Sequence, residues 1–191
     1  MDNTSPRWPA RATTWQSHWV PDHVGTLVFI CVDQQVLLIH KKTGHGAGRI
    51  NGPGGKLQRG ESLRECAARE VREEVGVVPH DLSLRAELRF VEQAGEQWLG
   101  FVFVASACSG ELSDSDEASP FWQSRTDLPW ARMWPDDEIW LPRVLDPQCA
   151  PFVADFLFAR QQLLDHRFVL GAPFWQDQRP GESGSEGGSC D

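Results

Sequence analysis

Cysteine is scarce and scattered in this chain: five residues, at 31, 66, 108, 149 and 190, with no CxxC pair. An odd, dispersed set argues against a disulfide framework and structural zinc, and points to reduced thiols and a cytoplasmic setting. The six histidines show no HExxH or HxH spacing, so no imidazole metal site is expected and none is singled out for catalysis. Long apolar runs are also missing. The longest, near Leu27–Val32, is far too short to cross a bilayer, and Met1-Asp2-Asn3 does not begin a basic-then-apolar leader, so no membrane association is expected. Basic residues are in deficit, 18 against 27 acidic, giving a net charge of -9. That balance argues against a nucleic-acid groove, but not against a small phosphorylated substrate, because a bound metal ion reverses the local field.

A length of 191 residues allows one domain with a proper core and is too short for two. Residues 1–23 read as an N-terminal extension, rich in Pro, Thr, Trp and Arg without a regular period. Trp8, Trp15 and Trp19 suggest that part of it packs on the domain, with a disordered leader as the alternative. Residues 24–175 form the expected domain, and 176–191, carrying GESGSEGGSCD, an expected disordered tail. A monomer is expected.

What the chain does have is regular punctuation. Thr26–Val32 and Val36–His40 are β-branched apolar runs about Asp33-Gln34-Gln35, which reads as a hairpin. Glu87–Glu92 and Trp98–Cys108 form a second strand pair about Ala94-Gly95-Glu96. Between the pairs, Lys41–Lys56 holds six glycines and a proline, a composition expected to forbid regular structure. Such a loop exposes backbone to a phosphate chain, although by itself a surface turn explains it as well.

Gly55–Val77 then reads GKLQRGESLRECAAREVREEVGV. Ser62 with Glu65 has the form of a capping box and Gly76 can end a helix in the left-handed conformation, so a helix is expected over Leu63–Val75. At 100° per residue Leu63, Glu70 and Glu74 lie within about 20° of one line, beside Cys66 and Ala67. Carboxylates on an apolar stripe are costly unless a cation binds them. The i, i+3, i+4 spacing of Glu70, Glu73 and Glu74 allows one turn to present all three to one centre, and hard oxygen ligands suit Mg2+. For an isolated ExxEE, a surface helix laced with Arg/Glu pairs is the plainer explanation.

The whole segment resembles the Nudix box, Gx5Ex7REUxEExGU with U apolar, at every defined position. The resemblance implies an α/β fold, an α/β/α sandwich with a central mixed sheet, and Mg2+-dependent (or Mn2+-dependent) hydrolysis of a diphosphate linkage. It implies that Glu70 and Glu74 bind metal together with the Gly54 carbonyl, that Glu73 is the third acid of the cluster, and that Arg69 orients Glu61. Glu117 matches a further metal ligand or water activator, or else is a solvated member of the run Asp114–Glu117.

KKxGxGAGxxNGxGGK at Lys41–Lys56, SDEASPFW at 115–122 and MWPDDEIW at 133–140 resemble the animal-type 8-oxo-dGTP diphosphatase branch of that family. Within this branch the expected substrate is an oxidised purine nucleoside triphosphate. Asp136 and Asp137 would face the base, Asn51 read its edge and Trp134 stack on it. Thr26 and Phe90 would line the pocket, with Lys41 and Lys56 supplying charge. Two adjacent acids in an apolar slot should not both ionise, so one would keep a proton. Taken alone, Pro135-Asp136-Asp137-Glu138 is also an ordinary acidic helix start, and Trp122, Trp134 and Trp140 serve as core fillers equally well. His45, Ile50, Pro53 and Glu92 depart from the branch pattern, which leaves two alternatives: another nucleoside-diphosphate-linked substrate, or a non-catalytic oxidised-base binding module. After Leu145, apolar residues from Phe152 to Leu164 suit either a helix or strands, and the resemblance favours a hairpin.

Overall fold

The computed structural model describes residues 19–169. The expectations for Trp8, Trp15 and residues 176–191 lie outside that range. Strands β1 (His23–Val32), β2 (Gln35–Lys41), β3 (Ile50–Asn51), β5 (Ser83–Glu92), β6 (Gln97–Ala105), β8 (Ala118–Ser124), β9 (Phe152–Ala159) and β10 (Gln162–Val169) form one mixed sheet. Its order is β10-β9-β5-β6-β1-β2-β3, with β8 also on β2. The β1/β6 and β5/β9 pairs are parallel and the others antiparallel. Strands β4 (Val78–His80) and β7 (Ala107–Ser109) make a separate antiparallel pair.

Two helices, α1 (Leu63–Val75) and α2 (Asp137–Leu145), cover opposite faces. Strand periodicity of two decides which residues each receives. Val28, Ile30, Leu37 and Ile39 pack with Leu63, Ala67, Val71 and Val75 of α1. Phe29, Val36 and Leu38 pack with Trp140, Leu141 and Val144 of α2. Strands buried on both sides need apolar residues at every position, which is why these stretches read as continuous runs. The α/β/α reading holds, and neither helix is long and apolar enough to cross a membrane.

Helix α1 has the expected ends. Ser62 Oγ accepts from the Glu65 N–H, Glu65 Oε2 accepts from the Ser62 N–H at 2.8 Å, and Gly76 closes the helix at φ 80°. The second strand pair forms about the expected turn, but β5 begins at Ser83 rather than Glu87, and β6 ends at Ala105, Ala107 and Cys108 belonging instead to β7. Residues 152–169 form the hairpin, turning at Arg160-Gln161, both with positive φ.

Two further expectations are corrected. The first hairpin turns at Asp33-Gln34, with Gln35 already in β2, and its strands pair only at Cys31–Val36 and Val32–Gln35. They then diverge: β2 pairs along its whole length with β8, while β1 takes residues 53–57 on that edge, through Val28 N–H to Pro53 O (2.8 Å), Thr26 N–H to Gly55 O (2.9 Å) and Leu57 N–H to Val24 O (2.9 Å). The glycine-rich segment is also not wholly irregular. Ile50-Asn51 pairs with Ile39-His40 as β3, because Ile50 is buried in the core despite its glycine neighbours.

Replacing Ser62 by Ala should remove the reciprocal cap and lower stability by about 1 kcal/mol. The measurement is a lower urea midpoint with an unchanged slope.

Candidate active site

Gly54 brings loop backbone against β1, and Gly55 against the Glu70 side chain of α1, more closely than a Cβ would allow without a shift. A Cβ on Gly54 would stand 2.0 Å from Thr26 O, and one on Gly55 only 2.3 Å from Glu70 Oε2. The Glu70 carboxylate therefore rests directly on Gly55, and the Gly54 N–H donates to Glu74 Oε2 at 2.9 Å. The amide of Gly54 thus meets Glu74.

The acids gather here, but not in the single three-acid centre expected. Among the described residues no three acidic, histidine or cysteine side chains converge as metal ligands. Two cationic groups divide them. Arg69 holds Glu61 through two nitrogens (Nε–Oε1 2.7 Å, Nη2–Oε2 3.0 Å), and its Nη1 donates to Glu70 Oε1 (2.7 Å) and Glu73 Oε2 (3.0 Å). Lys41 Nζ binds Glu74 Oε1 and lies 3.3 Å from Glu117 Oε2. Glu73 is 59% exposed and points off the stripe, whereas Glu74 is 2% exposed. Burial pushes Glu70 and Glu74 above the usual carboxylate range against the pull of Arg69 and Lys41, while the Arg69 hydrogen bonds hold Glu61 below it.

Five carboxylates thus share two cations, leaving a surplus of three negative charges in a partly buried cleft. Hard oxygen donors with surplus negative charge fit a divalent cation of the Mg2+ type.

The same cleft, about 840 Å3, runs from these acids to Asp136 and Asp137. Both aspartates are almost fully buried, which an ordinary solvated helix start would not be. Asp136 Oδ2 accepts from Trp140 Nε1 (2.8 Å), and Asp137 Oδ2 accepts from the Trp134 N–H (2.9 Å), so Asp137 also serves the start of α2. Burial pushes Asp136 up to about 6, and burial together with the neighbouring Asp136 charge raises Asp137 well above its ordinary value. Thr26, with its hydroxyl 3.4 Å from Cys66 Sγ, lines the wall along with Phe90, which stacks on Phe156. Asn51 lines it too, its Oδ1 accepting from the Gly52 N–H at 2.8 Å.

Trp134 is already in contact with the glycine loop: Arg49 lies 4.2 Å from its ring centre, and the His45 ring stacks on it at 5.2 Å and 14°. His45 stacks equally on Trp98, at 4.9 Å, and Lys56 Nζ lies 5.0 Å from the Trp98 ring. Sequence reasoning placed Lys56 in the site but missed Trp98, because a residue 42 positions from Lys56 gives no local signal. It also missed the clamp formed by Glu92, whose carboxylate accepts the N–H groups of Arg160 (3.0 Å) and Gln161 (3.2 Å) and fixes the β9–β10 turn at the cleft mouth.

Comparison with known proteins places this geometry. The NUDIX domain family model matches residues 21–144. The chain is 39% identical over 141 residues to the oxidized purine nucleoside triphosphate hydrolase of Mus musculus, spanning 73% of this chain and 88% of that protein. The Danio rerio protein of the same name is 37% identical over 145 residues, spanning 74% and 91%. Among solved structures, the MutT protein of Bacillus halodurans is similar at a TM-score of 0.67 and 25% identity, covering 76% of this chain and 97% of that one. The matched span carries both the acid-bearing helix and the buried aspartate pair, and the chain belongs to the Nudix family of hydrolases.

Proposed function

We propose that the protein hydrolyses oxidised purine nucleoside triphosphates, such as 8-oxo-dGTP or 2-oxo-dATP, to the nucleoside monophosphate and pyrophosphate, clearing them from the nucleotide pool. The observation that carries this reading is a single cleft with a surplus of carboxylates at one end and two buried, mutually repelling aspartates at the other. The first end suits a phosphate chain with its metal, and the second a flat base rich in N–H groups.

Glu70 and Glu74, backed by Gly54 and faced by Glu117, would hold the divalent ion, Mg2+ or Mn2+. Such an ion supplies charge neutralisation on the phosphates. Lys41 and Lys56 bind phosphate oxygens. Glu73 or Glu117, both exposed, takes a proton from the attacking water as its oxygen bonds to phosphorus and the bridging P–O bond breaks. Arg69 holds Glu61, Glu70 and Glu73 in place throughout.

At the base end, an Asp136–Asp137 pair with one shared proton offers both an acceptor and a donor to the purine edge. Asn51 adds an amide, Thr26 and Phe90 shape the wall, and Trp134 stacks on the base once the loop residues on its ring give way. The free thiols of Cys31, Cys66, Cys108 and Cys149 support a reducing, cytoplasmic setting. A monomer acting on a small nucleotide, without nucleic acid, accords with the charge of -9.

Pyrophosphate release should be compared across 8-oxo-dGTP, 2-oxo-dATP, dGTP and diadenosine tetraphosphate. Oxidised purines should lead in kcat/KM by roughly 10- to 200-fold, the span expected of one or two base contacts. Equal or faster turnover of dGTP or the dinucleotide would overturn the base assignment. Glu74→Gln should cut kcat by about 10²-fold or more while leaving the circular dichroism spectrum unchanged, and full activity in that variant would exclude the metal role.

The raised aspartates also set a pH dependence. The folded state binds their protons more tightly than the unfolded chain, so no cost exists below about pH 4, and stability falls as pH rises through about 6. For Asp136, raised from 3.8 to about 6, the loss is about 3 kcal/mol. Asp136→Asn removes one titrating group and its repulsion on Asp137. Urea unfolding from pH 4.5 to 7.5 should therefore show a visibly flatter profile in this variant.

A further inference from the structure

The two cations that divide the acids differ in what holds them. Arg69 is fixed on several sides: two bonds to Glu61, one to the Lys56 carbonyl at 3.2 Å, and a contact with Cys66 Sγ at 3.7 Å. Apart from its two carboxylate partners, Lys41 is held at its backbone, where its N–H donates to Arg49 O (3.0 Å) and its carbonyl accepts from the Gly48 N–H (2.8 Å). Its ammonium sits on a four-carbon stem within the cleft, and the recorded partners are Glu74 and Glu117. Those are two of the carboxylates assigned above to the divalent ion.

Glu74 Oε2 already accepts the Gly54 N–H, so a divalent ion and the Lys41 ammonium compete for Oε1, and like charges at that contact repel strongly in a partly buried site. Resting on the assignment of Glu70 and Glu74 as metal holders, we infer that Lys41 is the internal counter-ion of the metal cradle. Its ammonium neutralises Glu74 and Glu117 until metal and nucleotide enter together, and then transfers to the phosphate oxygens. The stem can swing without moving β2, because the backbone anchors are unaffected. Metal alone competes with the lysine for Glu74. With a triphosphate beside it, the displaced ammonium gains new anionic partners, so metal and nucleotide favour each other's binding through this one side chain. Lys41 is thereby a positioning residue for the metal as well as a phosphate contact.

The test is Mn2+ affinity of the full chain without nucleotide, read from the electron paramagnetic resonance of free Mn2+ at pH 8, for wild type and Lys41→Met. Removing the competitor should tighten Mn2+ binding by roughly tenfold, while KM for 8-oxo-dGTP rises several-fold. A merely structural role would weaken both. Because Lys41→Met leaves Glu74 buried beside an apolar group, Lys41→Gln, which keeps a donor without the charge, provides the second variant and should show the same opposed changes. Unchanged or weaker Mn2+ binding in a folded variant would overturn the inference while leaving the metal site standing. Failure of wild type and variants alike to bind Mn2+ would overturn the metal assignment and the inference with it.

Discussion

Backbone lies where a side chain cannot. Residues 53–57 run along the edge of β1, where Gly54 lies against the Thr26 carbonyl at a distance that excludes a Cβ, and they bring Gly54 and Gly55 up to the carboxylates of α1. That contact fixes the floor of the cleft and gives the buried Glu74 a hydrogen-bond donor. It also explains why α1 tolerates two acids beside Leu63, Cys66 and Ala67, since burying anions is costly unless donors and cations meet them. The sheet and both helices are the support for this one approach.

The helix was legible because its signals are local. Ser62, Glu65 and Gly76 mark the ends, and the misplaced Glu70 and Glu74 mark the face. Strands β1, β2, β5 and β6 showed through as apolar runs, but their partners did not. Pairing of β2 with β8 joins residues 77 to 89 positions apart, and β8 contains Pro120 and polar residues. Strand β9 resisted for a different reason. Six of its eight residues are buried, which erases the alternation that separates strand from helix, so only the resemblance favoured the hairpin.

In the site, residue types were more legible than their partners. Glu70, Glu73, Glu74 and Glu117 could be named from spacing and resemblance, yet their division between Arg69 and Lys41 depends on three-dimensional competition that no period encodes. The aspartates show the converse. Spacing fitted a solvated helix start, and only their burial separates the two readings. The stack of His45 between Trp98 and Trp134 joins three distant segments and left no trace in any one of them.

Glu92 carries a consequence for how the far side of the cleft is held. It stands where the branch pattern has an aromatic residue, and it ties the tip of the β9–β10 ribbon to the end of β5. That part of the cleft lining is thereby held by a single carboxylate gripping two amides, away from the acids of α1. Loss of that one side chain would free the ribbon tip from β5 and leave the acids of α1 and their partners untouched.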